Sequence, residues 1–337
     1  MDVAITIERI AIEPPVVTPA GTMTHVAAVE ARVADRAGVG TGRVRCSSVA
    51  QADATATAAR ELVDRADLPS HVRDESTAPW WATTWSTIEA GATPVERRAL
   101  SALDAAMWSL APPASARLGS ASAPVASTPV ARIYWSGFWF GESPDDARRE
   151  AATSVERGFD AVKMRVDVGD LAASVARFEA IAVELPAPMG IALEFFGSGT
   201  PSTVRRFLGA VDHERVLWVE DPLPVAEPAA TRQLAAELPV PVAGGEHCFG
   251  TAALDAYVAA AGIGFPIIDL GHCSGPTALA SYLRGGATGF PAIGIHLDAL
   301  LATSALARLS APGTVYVEVL DWWERTSPEA LRELLRD

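Results

Sequence analysis

Lysine is almost missing from this chain: Lys163 alone stands against twenty-six arginines in 337 residues. Asparagine is absent and alanine is abundant, the bias of a GC-rich coding sequence. Cysteine is scarce. Cys46, Cys248 and Cys273 are an odd number without metal-ligand spacing, which argues against a secreted disulfide framework and for a reducing cytoplasm. No apolar run reaches the ~18 residues of a membrane span, and the N-terminus has no basic signal-peptide start, so no membrane partner is expected. Positive charge is in deficit, with a formal net charge of −14, which argues against nucleic acid as a partner. Glycine patterns of the GxGxxG or Walker kind do not follow any strand-like run, which weakens an open nucleotide-binding sheet.

What is present is globular: 49% hydrophobic and 20% charged residues, enough for one large domain or two. The single lysine sits in the apolar run Gly158 to Val166, which reads as a buried strand. Codon bias explains the missing lysines but not the one retained there. An ammonium is a compact point charge, and buried unpaired cations are rare, so Lys163 is a candidate functional residue.

Two regimes divide the chain. Residues 1–45 alternate apolar and polar in short runs, as in Val3 to Ile7 and Val26 to Val33, and read as an antiparallel meander. Residues 48–112 read as helices, the clearest being the amphipathic run Ala99 to Trp108. A Pro/Ala/Ser-rich stretch over 113–130 reads as a linker. From there the pattern is strand, turn and Ala-rich helix, with strands beginning near Arg132, Ala161, Ile191, Val216, Pro241, Phe265, Ala292 and Thr314. Eight strands at intervals of about 22–30 residues predict a parallel α/β barrel over 131–320. Residues 321–337 read as a short helical tail.

Barrel enzymes keep their chemistry at the C-terminal strand ends. Polar residues recur there: Lys163 and Arg165, Glu194, Glu220, Glu246, Asp269, His296 and Glu318. Glu194, Glu220 and Glu246 fall on three successive strands, 26 residues apart each time. Three converging carboxylates repel unless a cation sits among them, and oxygen donors suit a hard ion, Mg²⁺ first. Asp269 and His296 fall on neighbouring strands, where the carboxylate can orient the imidazole as a general base.

With these residues in place, the chain resembles the enolase superfamily, in the mandelate racemase/muconate lactonizing enzyme family and its mandelate racemase subgroup. The likeness covers nearly all of it. Residues 1–112 are similar to the family's α+β capping domain, and the eight strands to its modified TIM barrel, (β/α)₇β, with 321–337 packing back on the cap. Lys163-Met164-Arg165 matches the KxK motif, Glu194, Glu220 and Glu246 the metal-binding acids, and His296 with Asp269 the dyad. Glu318 matches the acid on the last strand. The resemblance implies Mg²⁺-dependent removal of the proton next to a carboxylate through a stabilised enediolate. Lys163 would neutralise the substrate carboxylate, and Glu318, if protonated, would hydrogen-bond the enediolate.

Two departures narrow the reading. Glu194 stands where the subgroup usually has Asp and is followed by Phe195-Phe196. Arg165 stands where racemising members carry a second base, and a guanidinium that keeps its proton is a poor base. Dehydration of a hydroxy acid, such as a sugar acid, is therefore the first expectation. A racemase or epimerase is the second, and a retired enzyme that only binds an acid is the third. Specificity is expected from a cap loop, 14–25, with Thr22, Thr24 and His25, and from Trp135, Phe196 and His247, with Trp139 and Phe195 lowering the polarity of the mouth. The partner is a small carboxylate, and a homo-oligomer is expected.

Overall fold

The computed structural model describes residues 1–18, 21–35, 38–66, 77–110, 130–285, 289–296 and 314–320. Most of the linker expected over 113–130 and all of the tail 321–337 lie outside the described residues.

The N-terminal alternation folds as expected. Strands β1 (Asp2–Thr18), β2 (Gly21–Ala34) and β3 (Val39–Cys46) form an antiparallel sheet in the order β1-β2-β3. The segment 14–25, expected as a loop, is mostly strand. Its ladder breaks between Ala11 and Val16 and resumes with Val16 opposite Met23. Pro14 and Pro15 have no N–H to give to a ladder, whereas Val16 and Val17 favour strand.

Helices α1 (Val49–Arg65), α2 (Thr77–Glu89) and α3 (Pro94–Leu110) follow. Ser48 caps α1 by accepting from the Gln51 N–H at 3.1 Å, satisfying one of the orphan donors of a helix start. Helix α3 is buried from Arg98 to Trp108 because it is wedged between the sheet and the barrel. On the sheet side it lies against Gly40 and Gly42 of β3, where a Cβ would overlap the carbonyl oxygens of Ala106 and Ala102. Only glycine permits that approach. Gly42→Ala is expected to lower the unfolding free energy by about 1–3 kcal/mol, as overpacking does. Thermal unfolding checks it, and an unchanged midpoint would mean that α3 can shift freely.

The barrel is closed and all-parallel, in the order β10-β11-β4-β5-β6-β7-β8-β9. Its strands are β4 (Val130–Ser136), β5 (Ala161–Arg165), β6 (Gly190–Glu194), β7 (Val216–Glu220), β8 (Val242–Gly244), β9 (Phe265–Asp269), β10 (Ala292–His296) and β11 (Thr314–Leu320). Six described helices lie between them: α4 (Pro144–Glu156), α5 (Leu171–Glu184), α6 (Pro201–Leu208), α7 (Pro228–Ala235), α8 (Thr251–Ala261) and α9 (Pro276–Gly285). Three begin at side-chain caps, Ser143, Asp170 and Thr200. The parallel barrel is the one the strand spacing predicts, and with its N-terminal cap it is the modified TIM barrel that the family resemblance implies.

Side chains alternate inward and outward along each strand. The interior floor is apolar and aromatic: Tyr134, Trp218 and Phe265, with Tyr316 packed against them. Trp218 stacks on Phe265 at 4.2 Å between centroids. The next inward layer toward the strand ends is Lys163, Glu220 and Glu318, and it carries the polar groups. Above it the cap closes in. Ile12 and Val16 of β1 share one apolar cluster with Trp139 and Leu320, and Met23 and Phe196 pack against it.

Candidate active site

Period-two geometry gathers the charged residues in one place. Register pairs Arg165 with Glu194, Glu194 with Glu220, and His296 with Asp269, so these groups stand level at adjacent strand ends. The chain turns sharply just beyond. Phe138, Phe196 and Asp221 adopt left-handed backbone, φ 55°, 50° and 39°, each one or two residues after its strand. Such conformations cost free energy in non-glycine residues and collect at functional sites.

Lys163, 2% exposed, lies 2.7 Å from Glu318 Oε1, 3.0 Å from Glu220 Oε1 and 3.6 Å from Glu194 Oε2. Burial would lower its pKa, but the Glu220 and Glu318 carboxylates outweigh that and hold it well above the ordinary lysine value. Lys163 therefore keeps its proton and acts as a fixed positive charge. Burial would raise Glu318, yet His296, Lys163 and Arg165 pull it down to about 2. The condition set for a Glu318 hydrogen bond to the enediolate, a protonated carboxyl, is thus not favoured by these surroundings, where three cationic groups hold the carboxyl low.

His296 lies 3.5 Å from both Glu220 Oε1 and Glu318 Oε2 through Nε2, which has no hydrogen-bond partner among the described residues. Its Nδ1 pairs with Glu246 Oε2 at 2.6 Å. The expected hydrogen bond to Asp269 is not made. The two are register partners, but Asp269 Oδ1 accepts from the His272 backbone N–H at 3.0 Å, and Glu246 occupies His296 Nδ1. Burial opposes charge on His296, and Glu318 and Glu246 overcome it, raising its pKa to about 9.

The three glutamates converge less evenly than their spacing suggests. Glu220 and Glu246 place carboxylate oxygens within 4.8 Å of each other and of a His296 nitrogen, a donor set able to hold a metal ion. Glu246 lies two residues beyond β8, carried inward by Gly245 at φ 121°. Glu194 is in neither group of converging donors found among the described residues. Its Oε1 accepts from the Phe196 N–H at 2.6 Å, which the left-handed turn at Phe196 directs back at it. Burial and then the nearby Glu220 raise Glu194 well above the ordinary carboxylate range. Two hard oxygen donors beside a crowded third acid fit a divalent cation, with Glu220 and Glu246 as its better-placed ligands.

Arg165 is 2% exposed and already occupied. It donates to Gly137 O and, at 2.9 Å, to Ser136 Oγ, and its guanidinium lies 3.8 Å over the Trp139 ring. Ser136 Oγ in turn donates to Glu318 Oε1 at 2.6 Å. Sequence reasoning passed over Ser136, although it ends its strand on the inward phase shared by Tyr134. Trp218 was missed for the same reason; its Nε1 donates to Glu220 Oε2 at 3.2 Å.

The expected substrate contacts scatter. Trp135 faces outward to the barrel–helix layer, donating to Glu150 Oε1 at 2.6 Å and packing on Phe159. Phe195 likewise packs on Phe207. Both fall on the outward phase of their strands, which removes them from the mouth. Thr22, Thr24 and His25 are exposed on β2, where Thr24 Oγ1 and His25 Nδ1 pair at 2.9 Å. Phe196 does stand at the mouth, 5.9 Å from Phe140 between ring centroids. His247 pairs with Asp221 Oδ2 at 3.1 Å and Glu246 Oε1 at 3.2 Å, and its bond to Asp221 raises its pKa to about 9. These two with Glu246 form the second group of converging donors.

Comparison with solved structures places this fold among known ones. An L-talarate/galactarate dehydratase from Salmonella typhimurium, liganded with Mg and L-lyxarohydroxamate, superposes with a TM-score of 0.79 at 20% identity over 96% of this chain and 83% of that one. An enolase from Bradyrhizobium complexed with magnesium and mandelic acid gives 0.74 at 20% identity, over 95% and 87%. A mandelate racemase/muconate lactonizing enzyme from Polaromonas gives 0.75 at 22% identity, over 96% and 86%. At these identities the likeness carries the fold. By sequence alone, no curated protein matches. The family model described as enolase C-terminal domain-like matches residues 146–336. That span is more than half of the chain and takes in every barrel strand from β5 to β11, so the chain belongs to this family, the mandelate racemase/muconate lactonizing enzymes of the enolase superfamily.

Proposed function

We propose that this chain removes the proton α to the carboxylate of a small acid hydroxylated at both C2 and C3 and then eliminates the C3 hydroxyl as water, the resulting enol tautomerising to a 2-keto acid, with Mg²⁺ as its cofactor. One observation carries the reading: Lys163 and His296 face the same acids, both within 3.5 Å of Glu220 Oε1 and both paired with Glu318. A cation that keeps its proton and an imidazole that can exchange one thus stand beside the same carboxylates.

Lys163 would neutralise the substrate carboxylate, which lowers the barrier to forming a second negative charge beside it. Glu220 and Glu246, with Glu194 as third donor, would hold the Mg²⁺. When bound, the ion supplies Lewis-acid stabilisation of charge on the carboxylate oxygens. His296 is the base and, once protonated, the acid that assists the leaving hydroxyl. It must first lose the proton that Glu318 and Glu246 hold on it, which any ligand drawing Glu246 away from Nδ1 would favour. Arg165 is not a second base. Its guanidinium is spent on Gly137, Ser136 and Trp139, and a guanidinium is a donor rather than a base, which favours elimination over racemisation. The Mg-liganded dehydratase of the same fold is in keeping with this choice.

A panel of aldonic and aldaric acids assayed for 2-keto acid tests it, with Mg²⁺ and in chelator. Turnover is expected with the ion and lost without it. Run in D₂O, the recovered substrate should show no inversion at its α-carbon. Racemised substrate without keto acid would make the protein an epimerase, and would require a second base other than Arg165.

A further inference from the structure

A chain of hydrogen bonds enters the acid cluster from the cap. Arg98, on α3 and 6% exposed, donates through Nη1 to Arg45 O at 2.9 Å, near the end of β3. Its Nη2 lies 2.6 Å from Nε2 of His272, in the loop after β9. The other ring nitrogen of His272, Nδ1, lies 2.5 Å from the backbone oxygen of Glu246. The His272 backbone N–H donates to Asp269 Oδ1 at 3.0 Å, and its carbonyl accepts from Gly250 N at 3.1 Å. One residue thereby joins the loop after β8, which carries Glu246 and His247, to the end of β9, which carries Asp269.

Chemistry decides the direction of this chain. A guanidinium only donates, so His272 Nε2 must offer a lone pair. A carbonyl only accepts, so Nδ1 must carry the hydrogen. A single neutral tautomer satisfies both contacts, and Arg98 selects it. We propose that Arg98 and His272 are positioning residues through which the cap sets the backbone at Glu246 and the carboxylate of Asp269. The role rests on reading Glu246 as a metal ligand and Asp269 as a member of the site. It also gives the buried α3 a task beyond packing: the site is fully ordered only when the cap is seated.

Two measurements on the full chain test it. Long-range ¹⁵N–¹H spectra of the six histidines, assigned with His272→Asn, should show His272 protonated at Nδ1 and bare at Nε2. Arg98→Met should lose that single tautomer. Titration with Mn²⁺ alone, followed by its paramagnetic signal, should give about a 10–100-fold weaker dissociation constant in Arg98→Met and in His272→Asn, the scale seen when a ligand's hydrogen-bonded support is removed. The double variant should be no worse than either single one, and Arg98→Lys, which keeps a donor, should recover part of the loss. A wild-type His272 protonated at Nε2 would overturn the proposal. So would losses that multiply in the double variant, or an Arg98→Met that melts earlier yet binds Mn²⁺ like the wild type. If the wild type binds Mn²⁺ and shows the expected tautomer but forms no keto acid, the proposed reaction fails and the positioning role stands. A wild type that binds no Mn²⁺ overturns both.

Discussion

Replacing Lys163 with methionine is expected to lower kcat by about 10³-fold, the upper range for losing one preorganised electrostatic contact to a developing oxyanion. The size follows from its surroundings. Lys163 is the only ammonium side chain in the molecule, and it faces Glu194, Glu220 and Glu318 at 3.6 Å or less. Methionine keeps the stem and deletes the charge, leaving buried carboxylates uncompensated, a change that costs about 3–5 kcal/mol when one partner of a buried pair is removed. Unfolding should therefore shift to lower temperature at neutral pH, alongside the loss of turnover. Arginine should not rescue, because the planar guanidinium cannot occupy an ammonium's place among three acids. Steady-state kinetics and thermal unfolding of both variants check this. A Lys163→Met protein that turns over normally would leave the site without its proposed charge and end the reading.

His296→Asn is expected to abolish measurable turnover, a loss of about 10²–10⁴-fold for a missing general base, while Mg²⁺ binding persists. The separation arises because His296 touches the acids without being one of them. Its Nδ1 engages Glu246 at 2.6 Å and its Nε2 stands 3.5 Å from Glu220 and Glu318. Removing the imidazole takes away the proton carrier and leaves Glu220 and Glu246 as donors. Calorimetric Mg²⁺ titration beside a keto-acid assay separates the two effects. Loss of ion binding together with turnover would recast His296 as a metal ligand, a possibility its place in the Glu220–Glu246 donor group makes concrete.

The barrel was legible because it is written in local periodicity. Eight apolar runs, seven of them with a charged residue at or just past the C-terminal end, announce the strand ends before any contact is known. Structure moved the start of each strand by at most two residues; the strands expected near Arg132, Ile191 and Pro241 begin at Val130, Gly190 and Val242. Phase also shows where residue type misled. Trp135 and Phe195 looked like mouth residues by chemistry, yet each sits one step off the inward phase and packs against helices. Ser136 and Trp218 lie on the inward phase and meet Glu318 and Glu220. Their types had drawn no attention.

By itself the sequence determined the cap, the barrel, the one buried lysine and the ring of acids at the strand ends, because strand period and strand-end position depend only on neighbours along the chain. The tertiary structure alone decided which partners those groups take. Carboxylates and an imidazole at six different strand ends compete for the same few ångströms, and that contest depends on backbone turned by Phe196, Asp221 and Gly245 as much as on residue type. It gave His296 to Glu246 rather than Asp269, set Glu318 among three cationic groups that hold its carboxyl low, and turned Glu194 to its own strand end. Arg98 and His272 lie 174 residues apart in the chain. No local pattern marks such a pair, and only the seating of the cap on the barrel brings it together.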